Sequence, residues 1–185
     1  MSSTGLDDSS VIVTGAGSGI GRAAALHFAR EGTNLVIADI NAEGAKAVVA
    51  QIQDAGGKAV AVVGDLSEQT VADQVVATAL DTFGGVDVLV NNAGIMDKMS
   101  AAAEVTDAEW ERGLRINLTA PFLLTRAALP HMPAKGKGAI VNTASEASLR
   151  GSAAGCTPWD ARPRRRSRPR RSSSWPPTPP ATSTA

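Results

Sequence analysis

The chain of 185 residues has no tyrosine, a single cysteine, three phenylalanines and three tryptophans. Without tyrosine, no phenol can serve as an acid or a base, wherever the fold brings side chains together. The one cysteine, Cys156, rules out an intrachain disulfide and fits a reducing compartment. No apolar run approaches the roughly 20 residues needed to span a bilayer. The opening MSSTGLDDSS is polar and holds two acids, unlike the apolar centre of a signal peptide. A soluble, cytoplasmic protein with no membrane partner is the expectation. Apolar residues are also missing locally. From Cys156 onward there is no Leu, Ile, Val or Phe, while seven of the ten prolines and seven arginines fall there.

The formal net charge of zero hides two regions of opposite sign. Residues 1–150 carry 11 Lys/Arg against 17 Asp/Glu, a balance of −6, and residues 151–185 carry 7 Arg against 1 Asp, a balance of +6. The domain reading is accordingly a globular unit over 1–155 and a Pro/Arg/Ser-rich, disordered tail over 156–185, which has nothing to bury.

Within the globular part, apolar runs alternate with helical patterns. The runs 11–15, 34–39, 58–65, 86–94 and 138–145 read as strands, the last two with their exits. Residues 22–32 and 41–55 read as helices, and Ser67 is read as the cap of a helix running to Phe83, stopped by Gly84-Gly85. Thr106-Asp107-Ala108-Glu109 fits a helix start, and one helix is expected through Asn117 and Leu124, stopping near Pro130 and Pro133. Five apolar strands, each followed by a helix, predict an α/β fold: a doubly wound, Rossmann-type parallel sheet with helices on both faces and no sixth strand.

The strongest local signal is TGAGSGIG, Thr14 to Gly21, placed between a strand and a helix. Glycines there let the backbone approach a pyrophosphate, and the helix start offers free N–H groups and a positive dipole end. Asp39 ends the second strand, where a carboxylate can accept hydrogen bonds from both ribose hydroxyls of an adenosine. It would repel a 2′-phosphate and has no Arg or Lys beside it, which favours NAD over NADP. His27, on an apolar helix, and His131, beside prolines, read as packing or surface residues.

The spacing Gly15-x-x-x-Gly19-x-Gly21 resembles the TGxxxGxG turn of the short-chain dehydrogenase/reductase family. Asp65-Leu66, NNAG at 91–94, RINLTAPF at 115–122 and GAIVNTAS at 138–145 follow in the family's order, covering residues 10–155. The resemblance implies hydride transfer between NAD and a small-molecule alcohol or carbonyl. It implies a cofactor site of Gly15, Ser18, Gly19, Ile20, Gly21, Asp39, Asp65, Leu66, Asn91, Ala93 and Gly94, with Asn91 and Asn92 as turn residues. It assigns catalytic positions to Asn117 and Ser145.

The resemblance then breaks. The family's Tyr-x-x-x-Lys, its acid/base pair, would fall on Pro158 and Arg162, and Lys137 is the last lysine. The family's later helices, which commonly build subunit interfaces, have no counterpart, so little turnover and no family-type homo-oligomer are expected. Three readings of the tail stand side by side: a basic nucleic-acid arm, which lacks a folded recognition module; a flexible or partner-binding segment; and the missing half read in a shifted frame. The third is preferred. Trp-Pro-Pro-Thr-Pro-Pro-Ala-Thr can be encoded so that another frame reads Ala-Ala-Asp-Ala-Ala-Gly-Asp, an ordinary helix-and-turn sequence.

Overall fold

The computed structural model describes residues 5–96, 98, 103–132 and 138–145. The tail from 156 and the boundary at Gly155 lie outside the described residues. Five parallel strands form one sheet: β1 (Ser10–Thr14), β2 (Asn34–Asp39), β3 (Lys58–Val63), β4 (Val88–Asn91) and β5 (Ala139–Asn142), in the order β3-β2-β1-β4-β5. The helices are α1 (Gly19–Arg30), α2 (Ala42–Asp54), α3 (Gln69–Phe83), α4 (Asp107–Leu114) and α5 (Ala120–Ala128).

The central strands are apolar at successive positions because both faces of the sheet are covered. Val11, Val13, Leu35 and Ile37 pack with Ala25 of α1 and Val48 and Ile52 of α2. Ile12, Val36 and Leu89 pack on the other face with Val75 and Val76 of α3 and Leu124 and Ala128 of α5. The chain winds outward from β1 to β3, crosses back to β4, and winds outward again to β5. The direction in which the chain moves across the sheet therefore reverses between β1 and β4, the place where open α/β sheets bind ligands beyond the carboxyl ends of the strands.

Several expectations need adjustment. Helix α3 is capped by Glu68, not Ser67. The Ser67 hydroxyl and amide are both committed to Asp65 Oδ1, at 2.7 and 2.9 Å, so the serine closes a turn instead. Strand β3 ends at Val63 and β4 starts at Val88, two residues inside the expected runs. The helix through Asn117 is not uniform: a π-helical turn, Arg115–Thr119, separates α4 from α5, with the Ala120 N–H bonded to the Arg115 carbonyl. The expected start of α4 holds, because Thr106 and Glu109 form a reciprocal capping box.

Candidate active site

The glycine turn leaves β1 at Gly15, which has φ +61°. A Cβ at Gly15 would lie 2.8 Å from the Ala93 Cα, and one at Gly21 would lie 2.2 Å from the Gly15 carbonyl oxygen. These two glycines are thus required by backbone-to-backbone packing. Gly19 differs: it has φ +53°, but nothing lies within 4 Å of where its Cβ would be. Open backbone surface faces outward at the start of α1, and the Ser18 side chain makes no capping bond to it. Ile20 beside it is 72% exposed. The turn therefore presents first-turn N–H groups beside a positive dipole end, with open space where a Gly19 side chain would stand, which suits a pyrophosphate.

Asp39, at the end of β2, grips this turn from the side. Its Oδ2 accepts from the Gly17 N–H at 2.8 Å and its Oδ1 from the Asn41 N–H at 2.9 Å. Each oxygen keeps a lone pair for a further donor. Asp65, past β3, accepts from Ser67, while Arg115 lies 3.6 Å from its Oδ2 and 2.7 Å from Glu68 Oε1. The Ser67 hydroxyl, then the Ser67 amide, hold the Asp65 carboxyl below the ordinary carboxylate range; partial burial opposes this and Arg115 adds to it. The Leu66 side chain belongs to the core, so this residue can offer only its backbone.

The NNAG segment ties the glycine turn to the second half of the site. Asn91 is the last residue of β4 and only 3% exposed, a buried strand residue and not the expected turn residue. Its Nδ2 donates to Asn142 Oδ1 at 3.0 Å and to Thr125 Oγ1 at 3.3 Å. Asn92 Nδ2 donates to the Thr14 carbonyl at 3.1 Å, and its Oδ1 accepts from Thr143 Oγ1 at 3.4 Å. The Thr14 hydroxyl in turn accepts from the N–H groups of Asn92 and Ala93, both at 2.9 Å. Thr14 and Asn92 were visible in the quoted motifs, but their joint role, pinning β4 to the turn after β1, needs the sheet order to be seen.

Asn117 sits in the π-helical turn and clamps the strand exit beyond Gly94: its Oδ1 accepts from the Ile95 N–H at 2.8 Å and its Nδ2 donates to the Ile95 carbonyl at 2.9 Å. A π turn at this position re-aims the side chain relative to a regular helix. Ser145 follows β5 and is exposed. Asn91, Gly94, Asn117, Phe122, Asn142 and Ser145 line one cleft of about 780 Å³. The two expected catalytic positions are thus brought into a single cleft, adjoining the glycine turn through Asn92. His27, in the last turn of α1, is exposed.

Among the described residues no group of three His, Cys, Asp or Glu could hold a metal, and no helix is long and apolar enough to cross a membrane.

The short chain dehydrogenase family model matches residues 9–157. The dehydrogenase subunit BbsD of Thauera aromatica is 38% identical over 155 residues, covering 84% of this chain and 61% of that protein. The short-chain dehydrogenase/reductase olcF of Penicillium canescens is 40% identical over 151 residues, covering 81% and 56%. The 3beta-hydroxysteroid dehydrogenase 2 of Eggerthella lenta is 36% identical over 146 residues, covering 78% and 56%. The chain spans little more than half the length of these relatives.

Proposed function

The chain belongs to the short chain dehydrogenase family, and on that premise we propose that it is the dinucleotide-binding part of an oxidoreductase that prefers NAD and turns over poorly, if at all, by itself. The observation that carries this reading is the junction at the sheet's reversal point, where Thr14 and Asn92 hold the glycine turn against the cleft of Asn117 and Ser145. Open α/β sheets bind nucleotides at this place.

A bound nicotinamide dinucleotide would supply the hydride chemistry. This chain's residues do the rest. Gly15 and Gly21 let the turn pack closely, and the open surface at Gly19 with the first turn of α1 receives the pyrophosphate. Asp39 accepts from ribose hydroxyls and repels a 2′-phosphate, which is the basis of the preference for NAD. Asp65 and the backbone at Leu66 border the adenine. Ser145 donates to the oxygen of a small alcohol or carbonyl substrate, and Asn117 holds the wall opposite by fixing Ile95.

What these residues do not supply is the tyrosine–lysine pair that the family uses as its acid and base. The sequence holds no tyrosine, and Lys137 is its last lysine. General acid–base catalysis contributes about 10² to 10⁴-fold in rate, so turnover should fall by that order at least. For the tail, the reading kept is a shifted frame: another frame after codon 155 should encode Tyr-x-x-x-Lys, and a gene with no such frame removes the idea. The functional test is a comparison of ligands. NAD should raise the melting temperature of the full chain with little NADH formed from candidate alcohols; stabilisation by neither NAD nor NADP would refute the assigned site.

A further inference from the structure

In the turn after β1, Gly15 and Gly21 pack against backbone and Gly19 faces open space. Gly17 differs from all three. It has no positive φ, so its backbone would accept any side chain. Space is what excludes one: a Cβ at Gly17 would lie 2.9 Å from Asp39 Oδ2 and 3.1 Å from the Ala45 nitrogen.

Gly44, in the first turn of α2, repeats the pattern from the other side. It has no positive φ either, and a Cβ there would lie 3.0 Å from the Gly17 carbonyl oxygen and 3.3 Å from the Gly17 Cα. The glycine turn and α2 thus meet backbone to backbone at these two residues, and the Asp39 carboxylate fills the third side. Gly17 falls on a variable position of TGxxxGxG, and Gly44 lies outside every motif in the chain.

This contact bears on what holds Asp39. Its Oδ2 accepts from the Gly17 N–H and its Oδ1 from the Asn41 N–H. Asn41 in turn caps α2: its Oδ1 accepts from the Gly44 N–H and its carbonyl from the Ala45 N–H, both at 3.0 Å. A closed circuit runs from the glycine turn through Asp39 and Asn41 to Gly44, and back by contact to Gly17. Farther along α2, Gln51 accepts from Arg22 of α1 at 2.9 Å and ties the same two elements again. The carboxylate cannot swing aside without breaking both of its bonds. Held in this way it is a preformed acceptor for ribose hydroxyls, and it cannot make room for a 2′-phosphate.

Building on the dinucleotide reading above, we propose that Gly17 and Gly44 are positioning residues for the Asp39 carboxylate, and that the choice of dinucleotide depends on their missing side chains as well as on the acid. A methyl group at position 44 forces the Gly17 carbonyl to give way by a few tenths of an ångström and strains the Gly17–Asp39 bond. A methyl group at position 17 displaces the carboxylate directly. Either change frees Asp39 to turn. Ribose hydroxyls then lose a fixed acceptor, and a 2′-phosphate meets a wall that can yield.

The test uses the full 185-residue chain with Gly44→Ala and, as a second variant, Gly17→Ala. Amide hydrogen exchange at residue 17, followed by NMR without dinucleotide, should quicken by about tenfold or more in both. In calorimetric titrations NAD should bind about tenfold more weakly, and the gap between NAD and NADP should narrow. Alanine is the better helix former, so Gly44→Ala should not lower the melting temperature, as a mere packing defect would. In an Asp39→Asn background Gly44→Ala should change NAD affinity by no more than about twofold, because its effect runs through the carboxylate. Unchanged exchange at residue 17, an unchanged ratio of NAD to NADP affinity, or an equal loss of NAD affinity in the Asp39→Asn background would each overturn the proposal. If the unaltered chain binds neither dinucleotide while exchange responds as stated, the cofactor reading fails and the hold on Asp39 stands.

Discussion

Alanine at Gly21 should act chiefly on stability, and alanine at Gly19 chiefly on NAD binding. At Gly21 a methyl group would sit 2.2 Å from the Gly15 carbonyl oxygen and 2.5 Å from Asn92 Nδ2. The carbonyl is backbone and cannot turn aside, so the β1–α1 junction must open. Overpacking costs about 1–3 kcal/mol, and a backbone obstacle places this case at the upper end. For a chain of this size the melting temperature should fall by roughly 6–12 °C. At Gly19 the methyl meets nothing within 4 Å, and only the φ of +53° is unfavourable. A left-handed residue with a Cβ costs about 1–2 kcal/mol, so the fall should be roughly 2–8 °C. That methyl, however, projects from the surface assigned to the pyrophosphate. NAD affinity should drop about tenfold, or about 1.4 kcal/mol. Thermal unfolding by circular dichroism and NAD titration by calorimetry separate the two effects. If Gly19→Ala proved as destabilising as Gly21→Ala, or if it left NAD binding untouched, the division between packing glycines and a ligand-facing glycine would be wrong.

Thr14→Val should destabilise the fold by about 2–3 kcal/mol, because the N–H groups of Asn92 and Ala93 both lose their acceptor, whereas Thr14→Ser should be nearly silent in denaturant titration. Asp65 supplies a pH test. Its carboxyl is held below its ordinary range by Ser67, so the stabilisation is fully present above the unfolded pKa and is lost as pH falls through the folded value. Ser67→Ala should therefore reduce stability at neutral pH and flatten the acid limb of a melting-temperature profile below about pH 4. The carboxylate is 41% exposed, which limits the effect to less than about 1 kcal/mol. Leu124→Ala, at a site 1% exposed between α5 and the sheet, should cost about 2–5 kcal/mol by equilibrium unfolding.

The sheet was readable because its signals are dense and local. Five apolar runs separated by helical patterns correspond to the five parallel strands, and Gly84, with φ +79°, ends α3 where a glycine pair was expected to. Boundaries were less legible where a side chain had two uses. Ser67 has the right chemistry for a helix cap, but a carboxylate two residues before it claims both of its donors. The π turn around Asn117 is set by a backbone bond from the Ala120 N–H to the Arg115 carbonyl, which no residue type in RINLT marks. In the site, the glycine turn, Asp39, NNAG, Asn117 and Ser145 could each be marked by motif. That Asn92 joins the turn to the cleft could not, because the contact spans 78 residues and depends on β1 and β4 being neighbours. Nor could the unpaired oxygen of Asn91, which depends on how Thr125 of α5 and Asn142 of β5 sit around its amide.

The most direct test of the central claim is a paired titration of the full chain and its Asp39→Asn variant with NAD and with NADP. In the full chain NAD at about 100-fold over its dissociation constant should add about 2.7 kcal/mol, raising the melting temperature by roughly 5–10 °C, and NADP should do much less. In Asp39→Asn the gap between the two should narrow, with NAD weakened and NADP no longer repelled. Equal stabilisation of the full chain by both dinucleotides, or by neither, would contradict the account.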